Sequence, residues 1–544
     1  MHSSPRPPRL PNLTLRTLLT LGLLAGLACV AAWVAAYAME VDGPVAFAWA
    51  LVAVLIGFGI SPIILDLSLR FFYTSTPRTL DELPTHLSAF IRRTCKAHGM
   101  RPPKLRELAD GTPTAFTYGW SPSTARVVYS QGLLELLSPL EAEAVIGHEL
   151  GHAKSWDILV ASIASAVPTF IRELGDRVAA SLSEHSPEDD DDDTSKRSRA
   201  VLWVLRALAF AAELTELSLS RVRELHADRF GATACGSAAA MARALIKVSY
   251  GLAARRSTAA RAVSPALQVQ GHSTAHSLLL ASGGRPADAV QHAMAWDLWS
   301  PWARVLELQS THPTTARRIL ALEPLSELQR ETPAVRFQLE QEGSLWGPFL
   351  VDLVFATLPT AALLGGLWAL ERRGLDILGP VLIAFGCALG AKYWFKYRGR
   401  DFKDATVADL LGILEASPIR GIPCTVRGRV VGRGEAGLAW GDDLTLRDET
   451  GLVLVDHRQP LAVWELLRGL FGTVETVGSN VVVEGWFRRG PVPFLEMKSM
   501  TIDGSTRRSY FRWLPYGVAG LSIICGTLLQ LGLYESLVAQ LGLT

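Results

Sequence analysis

Charged residues are absent from two long stretches near the start of the chain, residues 17–39 and 43–65. Each is about 23 residues long, the length a helix needs to cross the hydrocarbon core of a bilayer. Only the acidic turn "EVDG" separates them. The pattern therefore predicts two spanning helices rather than a cleaved leader, whose apolar run would be shorter. Arg6, Arg9 and Arg16 precede the first span, and Arg70, Arg78, Arg92 and Arg93 follow the second. The excess of arginine on those flanks predicts that both face the cytoplasm and that the acidic turn lies outside. Three more apolar runs come late in the chain, at about residues 346–370, 375–394 and 513–534. The middle one ends in "KYWFKYRGR", a basic and aromatic anchor of cytoplasmic type. The "ERRG" between the first two works against this topology, because it places two arginines outside.

Between these runs the pattern changes. Residues 77–345 are far more polar and form a soluble body. Within it "SPLEAEAVIGHELGHAKS" predicts a helix: Ser138 caps it, Pro139 suits its first turn, and Glu141 completes a capping box. "ARVVYS" predicts a short strand just before. Residues 158–171, a short run with Pro168 in it, and residues 200–219 are apolar enough for buried core helices or for a hairpin dipping into the membrane. "SPEDDDDDTSKRS" between them predicts a solvated loop; five adjacent Asp without Gly do not match a calcium loop. From residue 403 to 508 the hydrophobic period becomes two, in "CTVRGRVVGRG", "LTLRDETGLVLVDHR" and "NVVVEGWFRRGPVPFLEMKSM", with Gly, Asp-Glu and Pro turns between. That pattern predicts a small β-barrel, with an OB-like barrel as the specific expectation. The expected architecture is a multi-pass membrane protein. It has two N-terminal spans within 1–70, an α-rich α+β body at 77–345, a spanning hairpin at 346–396, a β-rich domain at 403–508 and a last span at 513–534. No internal repeat is evident.

Composition sharpens this picture in three places. With 544 residues the chain is long enough for several domains. A net charge of +1 gives no case for nucleic-acid binding. A mean hydropathy of +0.23 fits membrane spans. The six cysteines (Cys29, Cys95, Cys235, Cys387, Cys424, Cys525) form no CxxC pair, which excludes a cysteine zinc site or disulfide framework as the organising feature.

The candidate chemistry lies in "HELGH". On a helix, residues four apart share a face, so His148 and His152 can aim imidazole nitrogens at one point. Glu149 stands about 100° around the axis, beside that point, where it can reach a water instead of the metal. A catalytic zinc needs a third protein ligand and an open position. In "LSRVRELHADRFG", Glu224 and Asp228 share a helix face, whereas His226 points roughly 200° away from Glu224. Glu224 is the better third ligand, with Asp228 as a hydrogen-bonding support; His226 is the rival.

These pieces resemble the membrane-bound zinc endopeptidases of the HtpX-type heat-shock protease and CAAX prenyl protease family. "HELGH" is followed by Asp157. "SRVRELHAD" is similar to the family's S-R-x-x-E-x-x-A-D helix. "THPTTARRI", with His312 and Arg318, is similar to its T-H-P-x-x-x-R-I segment, and "TAFTYG" sits where the family has N-A-F/Y-x-x-G. The resemblance covers about residues 10–325 and leaves the later spans and β-rich region as an added module. It implies one zinc ion per chain on His148, His152 and Glu224, with Asp228, Asp157 and Arg318 around them. It also implies Glu149 as general base and His312 as donor to the developing oxyanion. A substrate peptide is expected to lie extended along an edge strand near residues 127–130, touching Thr114, Phe116, Val127 and Tyr129. Thr114 departs from the family's Asn: it is shorter and donates only one hydrogen bond. Transition-state stabilisation then leans more on His312, or the sequence preference differs.

The reading that follows is a zinc-dependent endopeptidase in a bacterial cytoplasmic (inner) membrane, its site facing the cytoplasm. Its expected partners are misfolded or membrane-protein substrates, the lipid bilayer, and a protein docked at 403–508. The alternative is a non-catalytic membrane scaffold or regulator with a structural or inactive metal site. The intact Glu149 argues against it, since a purely structural site wants a fourth protein ligand. A transporter has little support, because the spans carry few charges, Asp352 being an exception near an end.

Overall fold

The computed structural model describes residues 10–39, 43–184, 192–248, 294–335, 344–434, 443–459, 476–490 and 492–532. They fall into two compact units. The first takes in the described residues up to 248 and those from 305 to 335; the second takes in those from 294 to 304 and from 344 onward.

In the first unit, α1 (Leu13–Met39) and α2 (Gly43–Phe71) are the two N-terminal helices. Asn12 starts α1 by accepting the Leu15 N–H at 3.0 Å. The helix buries a small-residue face, including Ala31, Ala32 and Ala35, and exposes Leu15, Leu18, Leu19 and Leu23. Small residues let helices approach and large ones meet lipid, the division expected of a spanning helix. The buried face packs on α6 (Asp157–Glu184) and α7 (Asp192–Cys235) through Ile171, Leu174, Leu205 and Ala209.

α6 corrects the sequence reading of 158–171 as a short run. It continues through Pro168 for 28 residues, because one proline removes only one ladder bond. Its polar second half is tied down by Arg177 to Glu173 at 3.1 Å and Arg172 to Glu213 of α7 at 3.0 Å. The acidic run is corrected in part: residues 185–191 lie outside the described residues, and from Asp192 the chain is already helix α7.

A four-stranded sheet covers the body. β1 (Ser75–Arg78), β2 (Lys104–Leu108), β3 (Ala115–Tyr118) and β4 (Arg126–Ser130) lie in the order β1-β2-β4-β3. β4 runs parallel to β2 and antiparallel to β3. Between β1 and β2 lies α3 (Thr85–Ala97), and α4 (Gln131–Leu136) follows β4. Next comes α5 (Pro139–Lys154), which opens with the Ser138–Glu141 capping box, the Ser138 N–H donating to Glu141 at 2.9 Å. Phe90 and Ile91 of α3, Val127 and Tyr129 of β4, Ile146 and Leu150 of α5, and Ala244 of α8 (Ala238–Val248) form one core. Each buried Val, Ile, Leu or Phe among them contributes about 1.5–3 kcal/mol on burial.

The second unit holds the helices Trp346–Arg373, Leu378–Lys396 and Trp513–Gln530. The last two meet along glycines. A Cβ on Gly526 would stand 2.6 Å from the Gly379 carbonyl oxygen, and one on Gly386 2.7 Å from that of Ala519. Asp352, the charge flagged in the first of these spans, is buried and satisfied: Arg420 lies at 3.0 Å and the Trp302 indole N–H donates at 3.2 Å. In all, five helices among the described residues are long and apolar enough to cross a membrane: α1, α6 as far as Ser181, and these three.

The β-rich region closes on itself. After the two-residue strand β5 (Lys403–Asp404) come β6 (Ile422–Arg433), β7 (Leu444–Arg447), β8 (Leu452–Asp456), β9 (Asn480–Arg488) and β10 (Phe494–Ile502). β6 pairs β7, β7 pairs β8, β8 pairs β10, β10 pairs β9, and β9 pairs β6, giving a closed five-stranded barrel whose one parallel pair is β8 with β10. β11 (Ser505–Arg508) extends β10 as a hairpin. Glu496 of β10, inside this unit, is buried against Arg488 at 2.6 Å and Lys396 at 3.3 Å and accepts from the Tyr397 hydroxyl.

Candidate metal centre

α5 and α7 cross so closely that only glycine fits. A Cβ on Gly231 of α7 would lie 2.5 Å from the Ala144 carbonyl oxygen and 2.8 Å from the His148 nitrogen, and one on Gly147 would lie 3.0 Å from the Gly231 Cα. That approach sets Glu224 and Asp228 opposite the histidines. His148, His152 and Glu224 each offer one ligand atom, and these atoms all lie within 4.8 Å of one another. The His148 and His152 Nε2 atoms are 3.0 Å apart, and Glu224 oxygens stand 3.5 and 3.2 Å from them.

Every one of the three has a support. His148 Nδ1 lies 2.9 Å from Asp228 Oδ1, and Asp228 is gripped by two Arg318 nitrogens at 2.6 and 2.7 Å. His152 Nδ1 lies 2.9 Å from Asp157 Oδ2, and Asp157 lies 3.2 Å from Arg223. Asp157 can bend back to His152 because Trp156 takes a left-handed conformation, φ 57°, between α5 and α6. Glu224 Oε2 meets His312 Nδ1 at 2.6 Å and Arg318 at 3.3 Å. The Asp157 carboxylate bonded to His152 Nδ1 fixes that ring's tautomer, Asp228 stands beside His148 Nδ1, and both Nε2 atoms face the shared point.

Two bare lone pairs and a carboxylate at such distances repel unless a positive charge lies among them. Charge counting gives the same answer. The buried carboxylates Glu149, Asp157, Glu224 and Asp228 face two buried guanidiniums, Arg223 and Arg318, leaving two negative charges over. Buried charge of that kind must be compensated, and a divalent cation does so while using the His-His-carboxylate donor set suited to zinc. Without the cation, a proton on His152 takes part of its place. Burial alone would lower the His152 pKa, yet Asp157 and Glu224 raise it well above the ordinary value. Burial would raise Glu224, but His312 and then His152 hold it well below the usual carboxylate range. Burial would likewise raise Asp228, and Arg318 holds it down. Burial pushes His312 down, toward the neutral ring.

Glu149 is buried beside the ligands, and its Oε2 accepts from the Thr117 hydroxyl at 2.7 Å. His226 is turned away, its Nε2 2.9 Å from the Pro11 carbonyl oxygen, so the rival ligand is not at the site.

The expected substrate strand is corrected. β4 is paired on both sides, by β2 and by β3, so its backbone has no free edge, and Val127 and Tyr129 are buried in the core. Among the described residues, the edge strand next to α5 is β3. Thr114 precedes it, its N–H donating to Ser130 at 2.9 Å. Phe116 lies on β3 but packs against Leu65 and Leu69 of α2, on the face away from Glu149.

The model of peptidase family M48 matches residues 84–326. Over 249 residues the chain is 31% identical to "Protease HtpX homolog" of Thermococcus sibiricus, covering 45% of this chain and 75% of that relative. The chain belongs to peptidase family M48. The Bifidobacterium longum "Protease HtpX homolog" is 30% identical over 246 residues, 45% of this chain and 71% of the relative. That of Thermococcus kodakarensis is 36% identical over 172 residues, but spans 31% of this chain and 59% of the relative. Among solved structures, S. mikatae Ste24p matches 57% of this chain and 65% of its own at 16% identity and a TM-score of 0.34, a likeness too loose to carry an argument. The M48 match takes in His148, His152, Glu224 and Glu149. It stops short of the hairpin Trp346–Lys396 and the barrel.

Within the M48 region three contributors escaped the sequence reading. Arg223, which backs Asp157, was assigned no role from the sequence. Thr117 occupies an unspecified position of "TAFTYG" and is met only once β3 is laid against α5. Arg221 lies 2.8, 3.2 and 2.9 Å from the carbonyl oxygens of Glu307, Leu308 and Ser310, bracing the turn that carries His312. Only its place three residues before Glu224, on the same helix face, could have signalled it.

Proposed function

We propose that the chain is a zinc-dependent endopeptidase that cuts peptide bonds in misfolded or membrane proteins, with one zinc per chain. The observation that carries the reading is the placing of Glu149, a carboxylate buried beside the His148–His152–Glu224 cluster and oriented without being one of its three donors. His148, His152 and Glu224 would hold the zinc, which when bound supplies a Lewis acid for the scissile carbonyl and a lowered pKa for water. Glu149 takes the proton of the attacking water as the water oxygen bonds to the carbonyl carbon. It returns that proton to the amine nitrogen as the C–N bond breaks. Asp157 and Asp228 hold the imidazoles in register, backed by Arg223 and Arg318. His312 acts first on Glu224, whose Oε2 lies 2.6 Å from its Nδ1, and the role of oxyanion donor belongs to its remaining nitrogen. The peptide is placed on the free edge of β3, held by backbone bonds between Thr114 and Tyr118.

The arginines flanking α1 and α2 support a site on the cytoplasmic side of a bacterial inner membrane. The closed five-stranded barrel supports an OB-like module for residues 403–508, available to a protein partner, and the domains we propose are 1–70, 77–345, 346–396, 403–508 and 513–534, except that residues 294–304 fall in the second compact unit.

The test is casein cleavage by the detergent-purified full chain and by Glu149→Gln, both loaded to the same zinc content. Cleavage by the wild type alone is expected. Equal cleavage by both, or by neither with zinc held, would sink the proposal in favour of a structural metal site.

A further inference from the structure

We infer that Thr117 is a positioning residue for the general base, and that it ties the strand edge where the peptide is held to the atom that takes the proton. The inference rests on the endopeptidase reading above. Glu149 has a long side chain whose terminal torsion is broad, so nothing in its own covalent structure fixes the carboxylate plane. The Thr117 hydroxyl fixes it: Oγ1 lies 2.7 Å from Glu149 Oε2 and 3.2 Å from the Glu149 carbonyl oxygen. With Oε2 occupied, Oε1 is the oxygen left for the water. Thr117 is itself held firmly. It is paired in register with Val127 of β4, and a β-branched residue in a strand has little rotamer freedom.

The placement also explains why this residue, and not a neighbour, does the work. Side chains alternate along β3, so Phe116 packs on α2 and Thr117 faces α5. Among the described residues β3 is one of the sheet's two edge strands, the one beside α5. A peptide added there is set by the same strand that sets the base, so an error in one is shared by the other. A misplacement of about 1 Å at a general base can cost about a hundredfold in rate. Loss of one of several constraints should cost less, about tenfold.

Thr117→Val keeps the shape and removes the hydroxyl; Thr117→Ser keeps the hydroxyl. On a quenched fluorescent peptide, full-length Thr117→Val should lose about tenfold in kcat with KM within twofold, at unchanged zinc content. Thr117→Ser should recover most of it. A second readout needs no turnover: a thermal-unfolding cycle of wild type, Thr117→Val, Glu149→Leu and the double variant, all zinc-loaded. If the hydroxyl acts on Glu149, the melting shifts are non-additive by about 2 °C. Additive shifts overturn the inference, as does wild-type kcat in Thr117→Val or a Thr117→Ser no better than Thr117→Val. A wild type that cuts nothing overturns the endopeptidase reading instead, while the cycle still decides whether Thr117 holds Glu149.

Discussion

Gly231 offers the sharpest test of how the metal centre is built, because it is not part of the chemistry. Gly231→Ala adds one methyl group where α7 meets α5. That carbon would stand 2.5 Å from the Ala144 carbonyl oxygen, whereas ordinary contact begins at 3.4 Å, so the helices must part by about 0.9 Å. The atoms opposing it are backbone, which cannot swing aside. The next contacts are the nitrogen and Cα of His148 itself, at 2.8 and 3.2 Å. Two effects oppose each other. Alanine is the better helix former by about 1 kcal/mol, whereas overpacking costs about 1–3 kcal/mol. Global stability therefore changes little. The metal centre has no such compensation, because zinc bonds tolerate only about 0.2 Å, and a shift of about 0.9 Å carries Glu224 away from His148. A loss of about 1.4–2.8 kcal/mol in binding is about ten- to a hundredfold in Kd.

The assay is zinc affinity by competition with a chelator, with the melting temperature of the zinc-free protein as control. The expected result is a weakened Kd and a zinc-free melting temperature within a few degrees of wild type. Wild-type affinity in Gly231→Ala would refute the claim that this contact sets the spacing of the ligands.

Arg318→Met should leave Asp228 buried without its cation and weaken zinc binding by about ten- to a hundredfold, read by the same competition; unchanged affinity would show that Arg318 does not act through Asp228. In the barrel, burial would raise the Glu496 carboxyl, yet Arg488, Lys396 and Tyr397 hold it far below 4.5. A carboxyl depressed in the folded state adds stability that is fully present above its unfolded value and is lost as pH falls below that value. The melting-temperature gap between wild type and Glu496→Gln should therefore be widest near neutral pH and narrow below about pH 4; a gap independent of pH would contradict it.

Much of the centre was legible because its ligands sit in contiguous helical motifs. "HELGH" and "SRVRELHAD" place His148, His152, Glu224 and Asp228 by the helical repeat alone, and the Ser138 capping box marks where the first helix begins. The barrel strands were legible for the parallel reason, a period of two broken by Gly and Pro. What was not legible is non-local. "ARVVYS" reads as a strand, but only sheet order tells an edge from an interior strand. Here the parallel pairing of β4 with β2 puts Val127 and Tyr129 inside and leaves β3 as the edge. Thr117 and Arg223 were ordinary polar residues until β3 and α6 were brought against the helices. The length of α6 was misread because Pro168 looks like a terminator, whereas contacts to α1 and α7 carry the helix past it.

With the peptide placed as proposed, the length of β3 bears on what the enzyme can select. Four residues at an antiparallel edge present outward-facing backbone groups on alternate positions, about four hydrogen bonds in all. At about 1 kcal/mol net each, they are worth roughly 4 kcal/mol, the equivalent of a Kd near 1 mM. Ordering an extended segment costs about 1–2 kcal/mol per residue, so the edge alone cannot pull a strand out of a folded partner. Discrimination then falls on whether a segment is already free, not on its sequence. Take a small disulfide-bonded protein in its native form and in its reduced, alkylated, unfolded form, identical in sequence but for the modified cysteines. The unfolded form should be cut at least about a hundredfold faster, at several sites of unrelated sequence; a native stability of only about 5 kcal/mol already leaves fewer than about one molecule in a thousand unfolded. Cleavage of both forms at similar rates, or at one sequence-defined site in each, would mean that affinity comes from side-chain pockets that the β3 edge does not supply.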